Sequence, residues 1–114
     1  MTSVPSADTR DLDALGDRLR AFAQARDWDQ FHSPKNLAMA LVAEAGELVE
    51  HFQWLTEAQS AALSPDRKAA IADELADVLL YLVRIADKLD VDLRAAAHAK
   101  IARNEAKYPA ALVK

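Results

Sequence analysis

The chain has 114 residues, enough for one domain around one core. Apolar residues make up 52% and glycine occurs only twice, a balance that favours helix over sheet. A formal net charge of −4 with no basic run argues against a nucleic-acid partner, and the lack of cysteine removes disulfides, thiolate metal sites and thiol nucleophiles.

Residues 1–8 are polar and include Pro5, which reads as a loose N-terminal tail without the charged-then-apolar pattern of a signal peptide. Asp8 or Thr9 opens a first helix, with Leu12, Leu15, Leu19, Phe22 and Ala23 at helical spacing and an end near Arg26-Asp27. The link Trp28-Asp29-Gln30-Phe31-His32 mixes large rings with polar groups, suiting either a lid over the core or the wall of a ligand pocket. Ser33-Pro34 pairs an N-cap with proline at the first helical position, so a second helix starts there and runs to about Trp54. Thr56 to Leu63 reads as a polar connector. Ser64-Pro65 repeats the capping device and opens a third helix to about Leu89. That helix is apolar on most of its circumference from Leu75 to Ala86, as expected inside a bundle or at a subunit interface. After Asp90-Val91-Asp92 a fourth helix runs from about Leu93 to Lys107 and stops at Tyr108-Pro109. The expected fold is an all-α four-helix bundle over 9–110, with a short tail at 111–114. The longest apolar run, Val78 to Val83, falls far short of the roughly 20 residues that span a bilayer, so a cytoplasmic protein without a membrane partner is expected.

Two acidic pairs of the same form sit on the central helices: Glu44-x-x-Glu47 and Glu74-x-x-Asp77. Spacing of three puts both carboxylates of a pair one turn apart on one face. Here each pair interrupts the stripe that its helix would otherwise bury, where an unpaired carboxylate must neutralise, find a cation or bind a metal. Opposed in a bundle, the pairs make a cage of oxygen donors suited to Mg²⁺ or Mn²⁺. A di-iron bundle would need Glu-x-x-His on two helices, and no candidate Glu here is followed by His at that spacing. On the fourth helix Lys100, Asn104, Lys107 and Tyr108 recur at three- and four-residue intervals. Opposite a metal cage such a row can grip polyphosphate, although lysine near a helix C-terminus is also ordinary dipole compensation. Trp28, Phe31, His32 and Trp54 offer rings and a hydrogen-bonding group for a base. With two glycines there is no phosphate-cradling loop, so phosphate chemistry would have to be led by metal.

The segments Arg26-Asp27-Trp28-Asp29-Gln30-Phe31-His32 and Pro34-Lys35-Asn36-Leu37 resemble the MazG-like dCTP pyrophosphatase family. So do Glu44-Ala45-Gly46-Glu47-Leu48 with Phe52-Gln53-Trp54, Asp73-Glu74-Leu75-Ala76-Asp77-Val78, and the ending Lys100-x-x-x-Asn104-x-x-Lys107-Tyr108-Pro109. The resemblance covers roughly residues 12–110. It implies an all-α nucleotide pyrophosphohydrolase that splits a nucleoside triphosphate into monophosphate and pyrophosphate. It also implies Glu44, Glu47, Glu74 and Asp77 as catalytic Mg²⁺ ligands, Trp28, His32 and Trp54 near the base, and Lys100, Asn104, Lys107 and Tyr108 near the phosphates. Assembly through the central helices, as a homotetramer or dimer, is implied as well. One position departs from the pattern: where vertebrate members resembling this chain are expected to carry a histidine near the base, this chain has Leu19. That leaves two alternatives to a dCTP enzyme: a pyrophosphohydrolase for another nucleotide such as dUTP, a damaged nucleotide or phosphoribosyl-ATP, and a non-catalytic helical oligomerisation or binding module.

Overall fold

Five α-helices and one 3-10 turn make up residues 11–110, the part of the chain that the computed structural model describes. The tails expected at 1–8 and 111–114 lie outside the described residues. The helices are α1 (Leu12–Ala25), α2 (Pro34–Glu50), α3 (Glu57–Ser60), α4 (Pro65–Lys88) and α5 (Leu93–Lys107), with the 3-10 turn at Asp29–Phe31 between α1 and α2. No strand occurs among the described residues, as an all-α chain requires.

Side-chain caps set the helix starts. Asp11 caps α1 by accepting from the Ala14 backbone N–H, while Asp8 and Thr9, the expected openers, lie outside the described residues. Ser33 and Ser64 cap α2 and α4 in the same way, each followed by proline in the first turn. Asp92 caps α5. Two helix ends share one device. The Trp28 N–H returns to the Ala23 carbonyl and the Asp27 N–H to Gln24, with Asp27 in the left-handed region at φ 57°. Val91, Asp90 and Ala86 repeat this arrangement at the end of α4, again with Asp90 at φ 57°. Both are Schellman closures in which aspartate, one of the few side chains tolerated in that region, stands in for glycine.

Two expectations change. The second helix stops at Glu50 instead of Trp54, because its last carbonyls are taken by tight i→i+3 bonds from His51 and Phe52 and the chain turns. The expected connector holds a one-turn helix, α3, closed by a reciprocal capping box between Thr56 and Gln59.

The core lies where α2 and α1 pack against α4. Leu37, Ile71, Val83, Ala86 and Ala23 are the buried apolar side chains. Gly16 is buried at the α1–α4 crossing, where an added Cβ would sit 3.7 Å from Val83 Cγ1, so the helices meet there at ordinary contact distance. Glu44 meets Glu74 and Asp77 near one level of the α2–α4 pair, while Leu37 meets Leu80, Tyr81 and Arg84 near another. The two helices are therefore antiparallel. No residue of α5 is buried.

Candidate active site

Glu44 on α2 and Glu74 and Asp77 on α4 each bring a carboxylate oxygen within 4.8 Å of the others. The chain gives three negative groups little to balance them. Glu74 Oε2 is buried with no hydrogen-bond partner. Desolvation first, then the charges of Glu47, Glu74 and Asp77, pushes the Glu44 pKa up to about 7. A buried oxygen without a partner and a carboxyl raised to about 7 mark a place where positive charge would be favourable, and three oxygen donors fit a hard divalent ion. Glu47 stands outside this trio, exposed one turn along α2, and close enough to act on Glu44 through its charge.

Asp77 has a second role. It is one wall of a pocket of about 200 Å³ lined by Leu19, Phe22, Ala23, Trp28, His32, Leu37, Leu80, Tyr81 and Arg84. The Schellman closure of α1 delivers Trp28 to this wall, where its ring meets Phe22 edge-on with centroids 5.4 Å apart. His32 follows the 3-10 turn, which is tied to α2 by the Asn36 amide donating to the Phe31 carbonyl at 3.1 Å. Behind the wall, Arg84 donates to His32, Asp29 and Asp87. Asp29 also receives Lys88 at 3.1 Å, and the Lys88 and Arg84 bonds hold its carboxyl below the usual carboxylate range. Asp87 is held low in the same way, chiefly by Arg20 and then by Arg84.

The structure thus sets the Glu44, Glu74 and Asp77 cluster beside the pocket that Trp28 and His32 line, with Asp77 common to both. Trp54 lies elsewhere: 87% exposed, it lines a separate hollow of about 210 Å³ with Glu50, His51, Leu55 and Arg67. Lys100, Asn104, Lys107 and Tyr108 are all exposed on and beside α5. Their contacts are local, with the Tyr108 N–H donating to Asn104 and Lys107 Nζ lying 5.4 Å from the Tyr108 ring centroid. Sequence reasoning passed over Arg84. Its signal was a single arginine inside the apolar run from Leu79 to Ile85.

This all-α frame, with a carboxylate cluster across two central helices, places the chain in a family: it belongs to the MazG-like family, whose profile matches residues 39–112. Among individual proteins, it is 49% identical over 100 residues to dCTP pyrophosphatase 1 of Homo sapiens, a match covering 85% of this chain and 59% of that protein. The rat protein of the same name is 50% identical over 95 residues, covering 81% of this chain and 56% of the relative. The chain therefore spans little more than half the length of these curated relatives. A pyrophosphatase crystal structure from Archaeoglobus fulgidus superposes with a TM-score of 0.80 at 37% identity, covering 86% of this chain and 92% of the other.

Proposed function

We propose that the chain is a metal-dependent nucleoside triphosphate pyrophosphohydrolase that converts dCTP, or a modified dCTP, to the monophosphate and pyrophosphate. One observation carries this reading: a carboxylate cluster with an orphaned buried oxygen shares Asp77 with an aromatic-walled pocket. Phosphate chemistry and base recognition then fall side by side, as hydrolysis between the α- and β-phosphates demands. The names of the human, rat and Archaeoglobus relatives support it.

Glu44, Glu74 and Asp77 would hold the ion, Mg²⁺ or Mn²⁺, which when bound supplies charge for the phosphate oxygens and a more acidic water. Glu47, exposed beside the trio, is free to orient water or accept its proton, and Glu44 shares this candidacy. Trp28 and His32 stack on and hydrogen-bond the base. Lys100, Asn104, Lys107 and Tyr108 serve the outer phosphates, and Trp54 the base, when a second copy brings them to the pocket. Such an assembly has a ready surface. Met39, Val42 and Val49 on α2 and Leu75, Leu79 and Leu82 on α4 are all exposed in the single chain, at the three-, four- and seven-residue spacings of a helix-packing seam. A homodimer, or a tetramer built from two, would cover them.

A second substrate reading also has an observation behind it. Leu19 lines the pocket and offers no polar contact, which would weaken cytosine preference and admit a nucleotide such as dUTP. No described helix is long and apolar enough to cross a membrane, and action on a dissolved nucleotide fits a cytoplasmic setting. The deciding experiment is pyrophosphate release from canonical and modified nucleoside triphosphates, with Mg²⁺ and with EDTA. Metal-dependent release with dCTP or a modified dCTP fastest supports the proposal. Silence across the panel from folded protein refutes it and favours a binding module.

A further inference from the structure

Arg84 is the buried charged side chain among the described residues, 3% exposed, and the reaction outlined above leaves it unused. Its guanidinium is committed on three sides: Nη2 to Asp29, Nη1 to Asp87 at 2.9 Å, and Nε to Nδ1 of His32 at 3.1 Å. A guanidinium has only donors and keeps its charge in proteins. His32 Nδ1 must therefore offer its lone pair, and the proton of the neutral imidazole sits on Nε2. Burial, then the Arg84 charge, lowers the His32 pKa, which keeps the ring neutral. Nε2 has no hydrogen-bond partner among the described residues.

The other lining side chains that can hydrogen-bond are Trp28, whose indole N–H only donates, Asp77, Tyr81 and Arg84 itself. Asp77 belongs to the carboxylate cluster, and the Tyr81 hydroxyl can turn to donate or accept. His32 is thus the group whose hydrogen-bonding sense is fixed by its surroundings. Charge balance does not need Arg84 for this, since Asp29 also has Lys88 and Asp87 also has Arg20. What Arg84 alone supplies is the bond to the imidazole.

We propose that Arg84 is a positioning residue for base recognition: it locks His32 in the Nε2–H form, and that fixed donor selects cytosine over uracil and thymine. The discriminating atom is N3, an acceptor in cytosine but a protonated donor in uracil and thymine that would oppose the same N–H, whereas O2 accepts in all three. The proposal rests on the pocket being the base site of the function proposed above.

Two measurements keep the parts separable. Nitrogen-15 NMR of the histidine rings in nucleotide-free protein reads the tautomer without any turnover. Pyrophosphate release from dCTP, dUTP and dTTP reads the selection. We expect His32 as Nε2–H in the wild type and a tautomer mixture in Arg84→Met. That variant should lose about tenfold in kcat/KM for dCTP, mostly through KM, and the same factor in preference over dUTP, the worth of one hydrogen bond. Lys88→Met takes a cation from Asp29 but leaves the His32 bond, so it should keep both tautomer and preference. A wild-type ring protonated on Nδ1, or an unchanged dCTP-to-dUTP ratio in folded Arg84→Met, overturns the proposal. If Arg84→Met does not fold, His32→Phe keeps a ring without the donor, and an unchanged ratio there overturns it equally. Wild-type protein that releases no pyrophosphate from any of the three overturns the functional reading and base selection with it, and the NMR then decides the lock alone.

Discussion

Acidifying the solution from pH 7 to 6 should weaken divalent-ion binding about fivefold, while raising it to 8 should strengthen binding by less than about twofold. The asymmetry follows from Glu44. A carboxyl must lose its proton to take a metal, and desolvation, then the neighbouring carboxylates, raise the Glu44 pKa to about 7. With that value about half the molecules carry the proton at pH 7, about nine in ten at pH 6 and about one in ten at pH 8. Binding at pH 7 should accordingly release about half a proton from Glu44. Calorimetric titration of Mn²⁺ or Mg²⁺ in two buffers of different ionisation enthalpy measures both affinity and proton release. The same group predicts metal-free stability. Its folded pKa lies above the ordinary 4.5, so between about 4.5 and 7 the folded chain keeps a proton that the unfolded chain has given up. Stability without metal should therefore fall as pH climbs through that window and stay low above 7, as urea unfolding would report. Glu44→Gln should weaken metal binding and flatten its pH dependence. Wild-type affinity that is level from pH 6 to 8, with no proton released, would refute the reasoning.

Asp77→Ala and Glu47→Ala should each abolish pyrophosphate release while circular dichroism stays helical, and full activity in either would sink the assignment. Lys107→Ala should mainly raise KM for the triphosphate; a change confined to kcat would take Lys107 out of phosphate binding. Leu37 is 2% exposed beneath the pocket, so Leu37→Ala should cost about 2–5 kcal/mol in urea unfolding. Val42→Asp, at a side chain 71% exposed in the single chain, should leave the helices intact but lower the sedimenting mass, and an unchanged mass would show that this face is not the seam.

The elements were legible where side chains announce them. Ser33-Pro34, Ser64-Pro65 and Asp92 mark helix starts through their own hydrogen bonds, so α2, α4 and α5 begin where the sequence says. Helix ends were harder. Phe52 and Leu55 continue the apolar spacing of Leu41 and Leu48, but periodicity reports which face is apolar and not where the backbone turns. The capping box of α3 was present as Thr56-x-x-Gln59, hidden because one turn of helix has no periodicity to show. At the site, the two acidic pairs were visible because carboxylates on an apolar stripe need an explanation. Arg84 stayed hidden because its partners Asp29 and His32 lie more than 50 residues away in the chain, and only the packing of the 3-10 turn against α4 joins them. Trp54 shows the converse: its ring fits a base pocket by type, yet it lines a different hollow of the same chain.

The paired serine–proline starts have a consequence for how this chain can vary. Glu44 and Glu74 each stand about three turns, roughly 15 Å, beyond the serine that caps their helix. A residue inserted or deleted within those turns would leave a good helix and swing the carboxylate by about 100° around its axis, away from the other two. Insertions between Leu55 and Leu63 meet no such constraint, because Ser64 restarts the count. Length variation in this chain should therefore collect in that connector, while the opening turns of α2 and α4 keep their length even where their side chains change.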